Sequence, residues 1–222
     1  MSTIINRLVK TAPPNTSTPD APPPSAKGES IVSHLVTAIM FTVVSVVILG
    51  IIYPLVITGI GTLVFPHQAA GSMIEQNGKP IGSEIIGQLF TKPQYFQGRP
   101  SAAGKNGYDP TSTGGTNLAP TSKKLIDATK ATIVALKKAN PDAPGEPPMD
   151  LVTSSGSGID PDISPEGADY QAPRVAKARN IPVGDIRALI IAHTRGRTFG
   201  ILGEPRVNVL DLNRALDAET KP

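Results

Sequence analysis

The chain offers few residues whose types and spacing could carry out chemistry. The Ser- and Gly-rich stretch 154–158 fails the G-x-S-x-G pattern of a nucleophile elbow, because position 155 is serine. The acidic stretch 160–164 begins like a calcium loop, but Pro165 stands where that loop needs a glycine. Three histidines lie far apart, without metal-ligand spacing, at His34, His67 and His193. We therefore predict no catalytic residue and no metal site.

Composition narrows the remaining function classes. The 222 residues carry a net charge of only +3, and aromatic residues make up 4% of the chain, so the basic, aromatic-rich surface of a nucleic-acid binder is not expected. Cysteine is absent, which excludes thiolate chemistry and disulfides. The Gly-Lys pairs at 78–79 and 104–105 lack the other residues of a phosphate-binding loop. An autonomous enzyme is therefore not expected.

The dominant feature of the chain is a long apolar stretch. No Asp, Glu, Lys or Arg occurs from residue 30 to residue 74. Residues 35–54 alone provide the roughly 20 apolar residues that a helix needs to cross a bilayer. A cleaved signal peptide has an apolar region of only about 7–15 residues near its start. We predict one retained membrane-spanning helix over residues 31–66.

The segments on either side of this helix differ in character. Residues 1–30 are rich in proline and poor in apolar residues, which predicts a disordered tail. Lys27 precedes the span and Lys79 follows it, with Arg7 and Lys10 farther away on the N-terminal side. This charge distribution favours, without deciding, an N-terminus in the cytoplasm and a C-terminal domain outside.

One face of the predicted span carries small residues. Ala38, Thr42 and Ser45 follow at i, i+4 and i+7, a spacing that permits close approach between helices in lipid. This face is a candidate partner interface. The alternative is that Ala, Ser and Thr are simply common in such helices, and the sequence does not separate the two.

Residues 67–222 predict a single mixed domain of class α+β. Asn77-Gly78 indicates a hairpin, and residues 94–117 indicate a long loop, which is usually functional or covered by a partner. Helices are expected over residues 121–139, from Ser164 until Pro173 breaks or restarts the helix, over 183–193 and over 210–216, with a strand near 207–209.

The loop contains a second candidate partner interface. Tyr95 and Phe96 precede Arg99, which lies between Gly98 and Pro100. Rigid aromatic side chains together with arginine are typical of interface hot spots. An equally weighted alternative is that Arg99 is buried and paired within the domain.

Blocks of residues distributed along the chain resemble the KdpC family. They run in the same order and at compatible spacing over about residues 35–216: Tyr53-Pro54, Phe65-Pro66, 68–72, 82–83, 86–88, 95–102, 114–118, 150–153, 156–161, 174–176, 178–179, 203–205 and 207–213. A single Gly-Gly-x-Asn would carry little weight, whereas this many ordered blocks form a specific signal.

The resemblance implies a non-catalytic accessory subunit of a bacterial ATP-driven potassium uptake pump. In that family a channel-like A subunit binds potassium and a P-type B subunit hydrolyses ATP, while the C subunit assists assembly and raises the affinity of B for ATP. The implied location is the cytoplasmic membrane, with the N-terminus inside and the C-terminal domain outside. Potassium and ATP would then belong to the complex, with no dedicated potassium site in this chain.

The resemblance also implies candidate nucleotide-related residues. The family stretch Ser-Gly-Gly-Ser-Asn reads here as residues 113–117, with threonine replacing both serines, and gives Gly114, Gly115 and Asn117. The glutamine that matches by position is Gln171. We favour the simpler interpretation of the first stretch, a glycine turn in which Asn117 bonds its own backbone.

Two other functions stay open at this point. One is a membrane-anchored binding or assembly module without any pump. The other is a membrane-tethered hydrolase that uses the Ser/Gly stretch 154–158, although no general base for it is apparent in the sequence.

Overall fold

The computed structural model describes residues 30–219, so residues 1–29 of the predicted disordered tail lie outside the described residues. The chain divides into two compact units, with the boundary between Gly59 and Ile60. Each unit is described by itself below.

An apolar helical stretch of 34 residues, Ile31–Val64, is the one part of the described residues that is long and apolar enough to cross a membrane. It consists of α1 (Ile31–Ser45), a π-helical segment (Val46–Ile52) and α2 (Tyr53–Val64). The Ser30 side chain accepts a hydrogen bond from the amide of Val32 and so caps the first turn. The hydroxyl of Thr42 donates to the carbonyl of Ala38 at 2.8 Å, which satisfies this polar group inside the helix.

The π-helical segment has a physical cause in the sequence. Pro54 has no backbone N–H, so the carbonyl of Gly50 loses its usual helical donor. Wider turns re-pair backbone groups next to such prolines in membrane helices. The amide of Tyr53 accordingly donates to the carbonyl of Ile48, five residues back.

The second unit mixes helices and strands, which confirms the predicted fold class of one apolar N-terminal helix followed by an α+β domain. Its helices are α3 (Pro66–Ala69), α4 (Lys123–Ala139), α5 (Met149–Val152), α6 (Pro165–Arg179), α7 (Val183–Ala192) and α8 (Val209–Glu219). Its strands are β1 (Met73–Gln76), β2 (Lys79–Ser83), β3 (Asp162–Ile163), β4 (Thr194–Arg195) and β5 (Arg206–Asn208).

The strands form two small antiparallel sheets. β1 and β2 make the predicted hairpin, in which Asn77 and Gly78 both adopt positive φ, 53° and 70°. The other sheet has the order β3-β5-β4, so that the short strand β5 lies in its centre.

The core of this unit lies among α6, α7, α8 and the three-stranded sheet. Its largest fully buried apolar side chains are Phe96, Val175, Ile186, Val207, Leu212 and Leu216. Phe96 comes from the long loop between β2 and α4, so this loop is part of the core.

Helix α6 corrects one sequence-based expectation. Ser164 caps the helix and Pro165 is its first residue, as predicted. The helix then continues through Pro173 to Arg179, so the prediction that Pro173 breaks or restarts it was wrong. An internal proline costs roughly 3 kcal/mol, and burial of the helix face around Tyr170 and Val175 offsets that cost.

Candidate functional site

The candidate site is built around residues 93–100, here called the aromatic loop, which holds three of the predicted interface residues. Phe96 is its anchor, because its side chain is 0% exposed. The amide of Phe96 donates to Oδ1 of Asn213 at 2.8 Å, and Nδ2 of Asn213 donates back to the Phe96 carbonyl at 3.0 Å. One side-chain amide of α8 therefore pairs both backbone groups of Phe96, as a neighbouring strand would.

Gln171 holds the next residue of the loop in the same way. Its Oε1 accepts from the amide of Gln97 at 2.9 Å, and its Nε2 donates to the Gln97 carbonyl at 3.0 Å. Nε2 also donates to the carbonyl of Gly167 at 3.2 Å. The residue is 1% exposed. This predicted nucleotide-related residue thus lies inside the domain, with its amide group bonded to the chain's own atoms.

Arg174 is the hub that joins the loop to α6 and to the end of α4. Its guanidinium donates to the carbonyls of Pro93 and Tyr95, to Oε1 of Gln171 at 2.8 Å and to Oδ1 of Asn140 at 2.8 Å. Burial lowers the pKa of Arg174 to about 10. The guanidinium therefore stays protonated at neutral pH, and these bonds are made by a cation.

Tyr95 closes the outer side of the loop. The guanidinium of Arg179 lies 5.0 Å from the centre of the Tyr95 ring and donates to the carbonyl of Gln94 at 2.8 Å. Asp217 accepts from Arg179 at 2.7 Å and from the Tyr95 hydroxyl at 3.2 Å. Tyr95 is half-buried, so part of the residue is still exposed to solvent.

Arg99 is paired within the domain, which was the alternative to an exposed interface residue. Its NH1 lies 2.9 Å from Oδ2 of Asp160, and the two side chains are about three-quarters buried. Its Nε is buried and has no hydrogen-bond partner among the described residues. Arg99 also lines a cavity of about 690 Å³ between the loop and helix α4, together with Gln88 and Tyr108.

The pair of Arg99 and Asp160 gives a testable expectation. Arg99→Ala should lower the free energy of unfolding by about 1–2 kcal/mol, because it leaves the largely buried carboxylate of Asp160 without its cation. Asp160→Asn should cost a similar amount, and the double variant should cost little more than either single variant. Urea unfolding of all four proteins measures this coupling. Additive losses would show that the two side chains act independently.

Tyr108 predicts a pH dependence. Its hydroxyl donates to the Arg99 carbonyl, and burial, with a smaller effect of the Asp160 charge, raises the pKa of Tyr108 to about 12. The unfolded chain ionises this phenol near its ordinary pKa of about 10. Between these values the folded state holds a proton that the unfolded state has lost, so stability falls as pH rises. Tyr108→Phe should flatten the fall measured between about pH 10 and about pH 12, and an unchanged slope would contradict the assignment.

The remaining predicted nucleotide-related residues lie on another loop. The amide of Gly114 donates to the Ser157 carbonyl at 2.8 Å, and the Cα of Gly115 faces Gly156, where a Cβ would come within 3.3 Å of the Gly156 carbonyl. Asn117 has a φ of 52° and is exposed. Gly114 and Gly115 thus lie against the Ser/Gly stretch, whereas the Gln171 side chain is bonded to the aromatic loop and to its own helix.

Two of the three residues of the predicted interface on the span lie together on one face of the helix. Thr42 and Ser45 line a shallow groove on the helix surface together with Val46 and Gly50. The apolar side chains around this groove are exposed along the whole described helix. Contact of Ala38, Thr42 and Ser45 with a partner stays a prediction, as does contact of Tyr95, Phe96 and Arg99. Because Phe96 is fully buried, it would serve such a contact by holding the loop in place.

Four side chains fix the aromatic loop, and sequence reasoning assigned no role to three of them, Arg174, Arg179 and Asn213. All three lie within the residue blocks on which the family resemblance rests. Their positions were therefore marked, but the hydrogen bonds span 74 to 117 residues of sequence, as the Gln171 and Asn213 pairs show. No local pattern predicts such pairs.

Comparisons with known proteins agree with that resemblance. The family model for KdpC, the K⁺-transporting ATPase c chain, matches residues 35–218. A KdpC subunit of a potassium-transporting ATPase from Koribacter versatilis is 50% identical over 85% of this chain and 96% of its own. Its counterpart from Acidobacterium capsulatum is 52% identical over 83% and 98%. The KdpC subunit from Paraburkholderia phytofirmans is 54% identical over 81% and 93%.

Proposed function

Because the chain belongs to the KdpC family, we propose that it is an accessory, non-catalytic subunit of a bacterial potassium-transporting ATPase. The observation that carries this proposal is the family match over residues 35–218, joined to relatives of which the chain covers 93–98%. One apolar helix of 34 residues provides the membrane anchor that such a subunit requires.

The finer part of the proposal concerns how the subunit acts. We propose that it joins a channel-like A subunit and an ATP-hydrolysing B subunit, assists their assembly and raises the affinity of B for ATP. Potassium and ATP are then handled by the complex. The internal bonds of Gln171 favour a positioning role for this residue, since its amide already holds the aromatic loop. Gly114, Gly115 and Asn117 would contact a nucleotide only if the C-terminal domain were on the cytoplasmic side, opposite to the orientation proposed below.

The proposed location is the cytoplasmic membrane, with the N-terminus in the cytoplasm and the C-terminal domain outside. Lys27 before the span and Lys79 after it balance each other. The support for this orientation therefore comes from Arg7 and Lys10, which lie farther away on the N-terminal side. In this orientation ATP and the C-terminal domain are on opposite sides of the bilayer. An effect on ATP affinity would then pass through contacts between subunits.

The test begins with the tagged full-length chain, purified in mild detergent from the bacterial cells that naturally produce it. We expect two multispan proteins to accompany it, with ATP hydrolysis that potassium stimulates. Deletion of the chain should abolish growth at low potassium. Recovery of the chain alone, under conditions that preserve other membrane complexes, would favour the membrane-anchored module without a pump. ATP hydrolysis or ester hydrolysis by the isolated chain would favour an enzyme.

A further inference from the structure

The loop between β4 and β5 presents an unusual group of apolar side chains. Residues 199–202, here called the apolar tip, include Phe199, Ile201 and Leu202, which are 88%, 74% and 57% exposed. Large side chains exposed together on a folded domain mark interaction sites or aggregation hazards. The aromatic loop and the Ser/Gly stretch do not include these residues.

The apolar tip is held rigid by its own backbone. Thr198 and Leu202 exchange two hydrogen bonds, at 2.8 and 2.9 Å, and the amide of Gly200 donates to the Arg197 carbonyl at 3.0 Å. The backbone that carries the three apolar side chains is therefore fixed. A fixed tip loses little conformational entropy when it enters a pocket, which favours binding.

Phe199 occupies a backbone conformation that does not suit it. Its φ is 54°, in the left-handed region, where Asn, Asp and Gly are common and bulky residues are rare. Local turn chemistry would therefore favour asparagine at this position. The aromatic side chain occupies this position although it gains almost no burial within the domain, which points to a role outside the domain.

The charges around the apolar tip decide what kind of surface it fits. Arg195 pairs with Asp211 at 2.8 Å, Arg197 with Glu204 at 2.6 Å and Arg206 with Asp162 at 3.2 Å. A loop that enters lipid headgroups typically carries free Lys or Arg beside Trp or Tyr. Here the arginines are already neutralised by carboxylates of the same domain, so the rim fits a protein surface without excess charge.

The size of the apolar tip argues against a second copy of this chain. A stable dimer buries about 800 Å² per partner, and three side chains on one short turn fall well short of that area. Such a tip can serve as an anchor only in an assembly that other contacts already hold together. The multisubunit pump of the proposed function, on which this inference rests, provides that assembly.

We propose that the apolar tip inserts into an apolar pocket, with an uncharged polar rim, on another subunit of the potassium-transporting ATPase. Phe199 is the central anchor, and Ile201 and Leu202 pack around it. The internal ion pairs of the three arginines remain intact at the edge of the contact. The tip thereby fixes the orientation of this domain on its partner.

The first test uses the full-length chain in the intact complex. The photo-crosslinking residue benzoylphenylalanine replaces Phe199, and in a matched control it replaces Val134, which is 68% exposed on α4. We expect position 199, and not position 134, to form an adduct with another pump subunit on illumination of native membranes. An adduct with a second copy of this chain, an adduct with lipid alone, or none would overturn the proposal.

The second test separates docking from folding. Phe199→Asn suits the left-handed backbone, so the thermal stability of the chain should be unchanged or higher. The complex should nevertheless dissociate about tenfold faster or more in detergent, because a central anchor is lost. Val134→Asn serves as the control and should leave the rate unchanged. An unchanged dissociation rate for Phe199→Asn would overturn the docking role, whereas loss of partners from the unmodified chain would overturn the proposed function itself.

Discussion

Replacing Arg174 with methionine is expected to lower the free energy of unfolding by about 3–5 kcal/mol, more than a typical substitution costs. Methionine has a similar length but no donors. The carbonyls of Pro93 and Tyr95 and the side-chain oxygens of Asn140 and Gln171 would each lose a charged donor. Most of the loss comes from Oδ1 of Asn140 and the carbonyl of Tyr95, because Oε1 of Gln171 keeps its bond from the Gln97 amide and Pro93 is exposed to water.

Arg174→Lys should recover only part of this stability. Lysine keeps the charge, but its ammonium is a single point and cannot reproduce the planar fork that reaches α4, α6 and the aromatic loop together. A matched control is Arg187→Met. Arg187 pairs with Asp169 at 2.6 Å, but both side chains are about 40% exposed or more, so its loss should cost under about 1 kcal/mol.

Two measurements check the effect of Arg174. Urea unfolding of the full chain in detergent gives the change in free energy. Hydrogen exchange then shows where structure is lost, because opening of the aromatic loop should expose the amides of Phe96 and Gln97, which are bonded to Asn213 and Gln171. Equal losses for Arg174→Met and Arg187→Met would show that the buried hub is no more important than a surface pair.

Hydrogen exchange can also distinguish a structural role of Gln171 from a nucleotide-related one. Gln171→Leu should increase exchange at Gln97, since both backbone groups of that residue lose their partner. If the pump's dependence on ATP concentration changes only in proportion to this loosening, the residue acts by position. A changed ATP dependence with full protection of Gln97 would instead favour direct contact with the nucleotide.

The sequence predicted the parts of the fold that depend on local physics. The apolar stretch, the Asn77-Gly78 turn and the Ser164-Pro165 helix start all follow from nearby residues, and all are confirmed. Pro173 was misjudged because its cost is offset by burial of the helix face, a tertiary effect. The π-helical turns before Pro54 arise because Pro54 has no backbone N–H. The sequence shows this proline, but the length and hydropathy of the stretch, on which the helix prediction was based, do not reveal its effect.

The site was less accessible to sequence reasoning, for a different physical reason. Its hydrogen bonds join residues 93–97 to α6 and α8, and each depends on a chain path that no local pattern specifies. Aromatic residues beside arginine are equally consistent with an exposed hot spot and with an internal lock. In this chain both situations occur: Phe96 lies inside the core, whereas Tyr95 and Arg99 are partly exposed.

Phe96 and Phe199 give a direct comparison of these two situations. Phe96→Ala should lower the free energy of unfolding by about 3–5 kcal/mol, because it leaves a cavity in the core that α6 and α8 share. Phe199→Ala should change it by less than about 0.5 kcal/mol, because that side chain is 88% exposed. Urea unfolding of the two variants in the same detergent measures both values.

The same two variants should rank in the opposite order in their effect on the lifetime of the complex, when that lifetime is compared between folded proteins. At a temperature where both are folded, Phe199→Ala should shorten the lifetime of the complex by about tenfold, since it removes the proposed anchor. Phe96→Ala should affect assembly only through loosening of the aromatic loop, which binding of the partners would partly restore. If Phe96→Ala alone shortened the lifetime, and did so without loss of hydrogen-exchange protection at Gln97, the aromatic loop and not the apolar tip would be the main contact with the partner.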